Sequence, residues 1–130
     1  MSDLFSNPSV IKLQAKDFKV SDSVDKVEVV NKKFKNVDGC VLIYAPWCPH
    51  CVSKEQWYTK MAEFINDRYK DYKIGVADGS SEDMKPIIKA LNLNGFPTFY
   101  HISCTNSDKS YVYEFTDAGR ELTELFSENL

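Results

Sequence analysis

Residues 45–51 read Ala45-Pro46-Trp47-Cys48-Pro49-His50-Cys51, and the fold turns on how this stretch is read. Just upstream, residues 39–45 (GCVLIYA) are short, unbroken and rich in β-branched and aromatic side chains, the pattern of a strand buried on both faces. Downstream the period changes. Trp57, Met61, Phe64, Ile65 and Tyr69 fall on one stripe of a long helix. The two cysteines therefore sit where a strand hands over to a helix. A helix start carries unpaired N–H groups and about half a positive charge, so a thiolate at Cys48 is favoured relative to free cysteine, whose pKa is ~8.5. Cys51 follows one turn later on the same face, within disulfide reach. Cys48, nearer the helix start, is expected to attack, and the more buried Cys51 to resolve the mixed disulfide. Pro49 removes a donor and stiffens the turn, and His50 can set an imidazolium beside the Cys48 sulfur.

A metal site competes with this reading. A structural zinc needs four ligands. The Cys48/Cys51 pair supplies two, no second Cys-x-x-Cys or His pair is present, and Cys40 and Cys104 would have to complete the set from elsewhere. Thiol chemistry without a metal or other cofactor is the better account of the pair.

The rest of the 130-residue chain frames that chemistry. It has 43% hydrophobic and 27% charged residues, ordinary for a globular protein, and its length predicts a single domain, residues 1–130, with 1–8 a flexible N-terminus. A net charge of −3 without a basic run argues against nucleic acid as a partner. No apolar run approaches a membrane span, and the start Met1-Ser2-Asp3-Leu4-Phe5 has neither the basic nor the apolar part of a secretory leader. A cytoplasmic location is the expectation, with an oxidising compartment or incorporation into a particle left open.

Working outward, Ser9–Leu13 reads as a first strand. Val27, Val30, Phe34 and Val37 recur at helical spacing, which predicts a helix from Asp22, its N-cap, to about Asn36. Residues 72–77 (YKIGVA) are strand-like, and Met84, Ile87, Ile88 and Leu91 form a shorter helical stripe with Pro86 in its first turn. Residues 97–103 and 110–115 read as two strands joined by the polar turn 105–109, and Leu122, Leu125 and Phe126 mark a closing helix. The order β-α-β-α-β-α-β-β-α predicts an α/β fold, a central mixed sheet with helices on both faces.

The stretch YAPWCPHC (44–51), its long helix and the later NGFPTF (94–99) together resemble the thioredoxin superfamily. APWC (45–48) and TDAGRE (116–121) are most similar to a catalytic domain of protein disulfide isomerase, whereas the Cys-Pro-His-Cys centre is similar to that of the DsbA oxidases. The resemblance covers about residues 9–130. It implies that Cys48 attacks and Cys51 resolves, that Pro97 is a cis-proline facing them, and that Phe96, Pro97 and Thr98, with Trp47 beside the site, hold an extended substrate. It also implies that Arg120 approaches the resolving cysteine. The implied activity is thiol–disulfide exchange on protein thiols and disulfides, leaning to oxidase or isomerase, with a recycling oxidoreductase of unknown identity. A thioredoxin-like reductase and a redox-inert module that binds extended chains are the alternatives.

Three features depart from or extend the family pattern. Leu42 stands where the family has a buried acid six residues before the first cysteine, and the lysine that accompanies that acid is missing near Val76. Gln56 replaces the proline that kinks the long helix of thioredoxins, predicting a straighter helix here. The family arrangement would also set Cys40 and Cys104 close together across a strand pair. Separate reduced thiols fit better than a second disulfide, because a cross-link needs restrictive geometry.

Overall fold

The computed structural model describes residues 4–20, 27–104 and 110–114. Its elements are β1 (Ile11–Leu13), β2 (Phe18–Val20), β3 (Val27–Val29), β4 (Asp38–Tyr44), α1 (Pro49–Arg68), β5 (Tyr72–Asp78), α2 (Lys85–Leu91), β6 (Thr98–Cys104) and β7 (Ser110–Glu114). The seven strands form one mixed sheet in the order β1-β5-β4-β6-β7-β3-β2. β5 runs parallel to both β1 and β4, while β4–β6, β6–β7, β7–β3 and β3–β2 are antiparallel.

β4 is the central strand that residues 39–45 predict. From Gly39 onward every residue of it is buried, because a helix covers each face. Alternation divides its side chains. Cys40, Leu42 and Tyr44 face α1, with Tyr58, Met61, Ala62 and Ile65 of that helix, whereas Val41 and Ile43 join Met84, Ile87, Phe34, Tyr100 and Ile102 on the opposite face. Of the predicted stripe on α1, Met61 and Ile65 are buried, with Tyr58 and Ala62 beside them; Trp57 and Phe64 flank the buried line and Tyr69 is exposed. The helix runs unbroken through Gln56 for 20 residues. α2 ends at Asn92, in the left-handed conformation with φ 55°, a helix stop that Asn supplies in place of glycine.

Three expectations are corrected. The helix predicted from Asp22 is instead β3 followed by a single 3₁₀ turn, Lys32–Phe34. Its apolar spacing satisfies both periods, and Val27 and Val29, stiff at χ1, bury together on one side of a strand that pairs with β2 and β7. The flexible terminus expected at 1–8 does not extend to Leu4 and Phe5, which are buried in the α1-face core. Cys40 lies opposite His101, and Cys104 is three positions further along β6, an offset of about 10 Å at strand rise. That exceeds the Cα separation of ~7 Å that a disulfide spans, and Cys40 is a free thiol. Asp22, the turn 105–109, Arg120 and the closing helix at Leu122–Phe126 lie outside the described residues.

Candidate active site

β4 ends at Tyr44, and a tight turn through Ala45, Pro46 and Trp47 brings the chain to Cys48, whose N–H donates to the Ala45 carbonyl at 3.1 Å. Cys48 is the N-cap of α1, extended at φ −87° and ψ 119°, and its carbonyl accepts the first helical bond from Val52 at 3.1 Å. Pro49 occupies the first helical position, where its missing N–H leaves nothing unpaired and its fixed φ suits the helix. The helix thus begins within the Cys-Pro-His-Cys run, and its first N–H groups converge on the Cys48 sulfur.

The two thiols are held differently. The Cys48 pKa is lowered, first by the Cys51 backbone N–H, next by the Cys51 thiol and, more weakly, by the His50 backbone N–H, against an opposing cost of burial. His50 therefore acts on Cys48 through its main chain, and its imidazole is exposed. Cys51 is fully buried, and burial pushes its thiol up to about 11, reinforced by the Cys48 sulfur next to it. Cys48 exposes only 7% of its surface, so its sulfur lies just under the surface. Three residues on from Cys48, Cys51 looks into the α1-face core, where Leu42 and Val76 are cross-strand partners. Leu42 and Val76, the positions where the resemblance implies an acid and a lysine, are both buried there.

Across from Cys48 lies the loop before β6. The Phe96–Pro97 peptide bond is cis, as the resemblance implied. The Phe96 carbonyl accepts from the Cys48 thiol at 3.6 Å. The Thr98 hydroxyl donates to the Gly95 carbonyl at 2.6 Å, tying the ends of this loop together. Trp47 is 70% exposed, and its ring meets the Phe96 ring edge to face with centroids 6.0 Å apart. An open groove of about 370 Å³ continues from here along Asn92–Thr98 to Tyr100. The structure thus brings Trp47, Cys48, Pro49, His50, Cys51, Phe96, Pro97 and Thr98 together at one end of the central strands β4 and β6. Among the described residues no group of three or more His, Cys, Asp or Glu comes together in a form that could hold a metal ion.

The sequence reading missed Gly79. It follows β5, and a Cβ placed on it would lie 2.5 Å from the Phe96 ring and 2.7 Å from Ile43. Phe96 is seated on bare backbone, a relation that appears only once β5 and the 92–97 loop are side by side.

The profile of the thioredoxin family matches residues 11–127. The chain belongs to the thioredoxin family. Among curated proteins it is similar to protein disulfide-isomerase A4 of Bos taurus, 31% identical over 106 residues that make up 75% of this chain and 15% of that protein. It is also similar to protein disulfide-isomerase of Saccharomyces cerevisiae, 28% identical over 102 residues, 78% of this chain and 18% of that protein. The chain thus spans less than a fifth of the length of these relatives. Among solved structures, the Trx4 domain of ERdj5 superposes with a TM-score of 0.62 at 14% identity, covering 94% of this chain and 96% of that one. Spinach chloroplast thioredoxin f, long form, gives 0.61 at 22% identity, covering 92% and 84%. At those identities the likeness concerns the fold, and it agrees with the mixed sheet and flanking helices described above. None of the helices among the described residues is long and apolar enough to cross a membrane.

Proposed function

We propose that this thioredoxin-family chain catalyses thiol–disulfide exchange on protein substrates in the isomerase or oxidase direction, with Cys48 as the attacking thiol and Cys51 as the resolving one. The observation that carries this reading is the unequal treatment of two sulfurs one helical turn apart: Cys48 faces backbone N–H groups and Cys51 faces an apolar core. The similarity to protein disulfide isomerases supports protein thiols as the substrate class.

In the first step the Cys48 thiolate attacks a substrate disulfide. A Cys48–substrate bond forms and the second substrate sulfur leaves as a thiolate. Two routes break the mixed disulfide. Cys51 can lose its proton and attack Cys48, which releases substrate reduced by two electrons and leaves the Cys48–Cys51 disulfide. Alternatively, another substrate thiolate attacks the substrate sulfur and expels Cys48, with no net oxidation. Leaving is faster for a thiol of lower pKa, which favours expulsion of Cys48. The first route needs a proton removed from a thiol held at about 11, in a buried cluster that includes Leu42 and Val76 where the resemblance implies an acid and a lysine. From the mixed disulfide the balance therefore lies with rearrangement, while the stabilised Cys48 thiolate makes the Cys48–Cys51 disulfide the more oxidising form, able to take two electrons from a substrate dithiol as both active-site thiols are regenerated. Trp47, Phe96, Pro97 and Thr98 form the surface against which an extended substrate would lie, and the Cys-Pro-His-Cys centre, similar to that of the DsbA oxidases, fits the oxidising lean.

The test is trapping with Cys51→Ser. Mixed disulfides between Cys48 and protein thiols should accumulate and disappear on reduction. Scrambled ribonuclease should regain activity with the unaltered chain in a glutathione buffer. Failure to trap any adduct, or a Cys48 alkylation midpoint as high as that of a free thiol, would remove the reading.

A further inference from the structure

Phe5 is held in a conformation that a bulky residue avoids. Its φ is 59°, in the left-handed region, where Cβ crowds the backbone. Such a residue persists only where its surroundings over-determine it, and here they do. Its N–H donates to the Glu55 carboxylate at 2.6 Å, a charge-assisted bond. Its ring is fully buried, edge to face with Tyr44 at 4.9 Å and with Tyr58 at 5.8 Å. Leu4 is buried in the same cluster. Beyond Phe5 the contact loosens: Ser6 and Asn7 border an open groove along Glu55, Gln56 and Thr59.

The partners of Phe5 bracket the thiols. Tyr44 is the last residue of β4, immediately before the turn that carries Cys48. Glu55 and Tyr58 follow Cys51 at i+4 and i+7, on the same stripe of α1. The terminal segment thus spans from the strand that enters the site to the helix that leaves it, and covers that stripe one turn beyond Cys51. Cys51, Phe5, Tyr44 and Tyr58 all belong to one buried cluster.

We propose that Leu4–Phe5 is a strap that positions the resolving thiol, closing the apolar chamber around Cys51 by pinning the end of β4 to α1. Releasing the strap opens the 51–58 stripe to water, lowers the cost of the Cys51 thiolate and speeds attack on Cys48. The strap thereby prolongs the mixed disulfide. Phe5 and Glu55 are positioning residues in this scheme, which rests on the proposed role of Cys51.

The test measures Cys51 alkylation by iodoacetamide in the Cys48→Ser chain between pH 7 and 12, with the modified site read by mass spectrometry. Phe5→Leu and Glu55→Ala should each raise the rate at pH 8 at least tenfold, equivalent to about one unit lower in pKa, and move the midpoint of the profile down. Glu55→Gln, whose amide oxygen can still accept the Phe5 N–H, should stay within about twofold of the parent. Phe34→Leu is the control: Phe34 is also fully buried, but in the core of the opposite face. It should lower stability and leave the Cys51 profile in place. Equal acceleration by Phe5→Leu and Phe34→Leu, or none by Phe5→Leu and Glu55→Ala, would overturn the proposal by reducing the strap to ordinary packing. If Phe5→Leu does not fold, the Glu55→Ala and Glu55→Gln pair decides alone, and equal rates in those two also overturn it. A normal Cys48 profile in the unaltered chain would instead remove the exchange reading, and the strap's effect on Cys51 would still be measured.

Discussion

The two faces of the sheet are equally dry and chemically unlike. β4 serves both, sending Cys40, Leu42 and Tyr44 one way and Val41 and Ile43 the other. On the α2 face the core is aliphatic and aromatic, and burial there contributes stability. On the α1 face the same dryness meets the thiols of Cys40, Cys48 and Cys51, and it changes the ionisation of Cys40, Cys51 and the Tyr58 phenol. Cys51 is pushed up to about 11 and Cys40 to about 12, both chiefly by burial. Tyr58, also fully buried, donates to the Gly75 carbonyl at 2.8 Å and so accepts from Cys40 at 3.5 Å; its own pKa is raised well above the usual value, first by burial. Only Cys48, at the rim where the helix N–H groups emerge, moves down. A low-dielectric core and a helix terminus within one turn of each other are enough to separate two identical side chains.

The largest test of this contrast is removal of the Cys48 sulfur, at the rim of the α1-face core. Cys48→Ser should bring disulfide exchange down to the uncatalysed background, measured with a fluorogenic disulfide peptide, while thermal unfolding shows the fold intact. Retained exchange would mean that the α1 face is as chemically inert as the α2 face.

Next in size is a matched pair of neighbours. Leu42→Ala and Ile43→Ala remove similar buried volumes on opposite faces and should each cost about 2–5 kcal/mol in urea unfolding. Only Leu42→Ala should lower the Cys51 alkylation midpoint, because the cavity it leaves borders the thiol cluster and gives water a place to enter. Identical thiol profiles in the two variants would show that the faces do not differ in the way argued.

The α1 face was largely legible in the sequence and the edge of the sheet was not, for a physical reason. The strand at 39–45, the period change at Cys48 and the pairing of a Cys-x-x-Cys with a later proline are short-range signals, each decided by a handful of adjacent residues. β5, α2, β6 and β7 were readable for the same reason. β3 was not. Val27, Val30, Phe34 and Val37 satisfy a helical period, and the partners that make Val27–Val29 a strand are β2 and β7, the latter more than eighty residues away. Phe5 falls in the 1–8 stretch expected to be a flexible N-terminus. Its burial depends on Tyr44, Glu55 and Tyr58, which no local pattern connects to it. Thr98 was named with the cis-proline loop, yet its bond to Gly95 is visible only in three dimensions.

A smaller effect should separate the reduced and oxidised chains by pH. In the unfolded state both active-site thiols titrate near the free-cysteine value, about 8.5–9. Cys48 has a lowered folded pKa, so its contribution to the reduced form is complete above about 9 and fades as pH falls through the folded value. Cys51 has a raised folded pKa, so its contribution is complete below about 9 and is lost as pH rises towards 11. The stability of the reduced chain relative to the Cys48–Cys51 disulfide form should therefore climb to a maximum near pH 9 and then decline, by about 1 kcal/mol at pH 10. Cys40 titrates alike in both forms and drops out of the difference. Denaturant midpoints of the two redox forms between pH 6 and 10 give the curve, and a difference that rises steadily through pH 10 would contradict the buried state of Cys51.

The smallest expected effect concerns a contact between the α2-face core and the active-site rim. Gly79 leaves room for the Phe96 ring against Ile43, and a methyl group there would meet the ring at 2.5 Å and the Ile43 side chain at 2.7 Å. The φ of Gly79 is not in the left-handed region, so Ala is not strained by backbone conformation and the whole effect is steric. Overpacking costs 1–3 kcal/mol in general, and the low end, about 1 kcal/mol, is expected because a ring edge can shift. The displacement should pass to Trp47, whose ring rests on Phe96, and appear as a change in tryptophan emission. Cys48 draws its lowered pKa from α1 rather than from Phe96. Its alkylation profile in Gly79→Ala should consequently stay put, while exchange with a protein substrate that must lie along Trp47 and Phe96 slows. If the thiol profile moves together with the emission, the ionisation of Cys48 depends on both faces, and the division between a chemical face and a scaffold face is drawn in the wrong place.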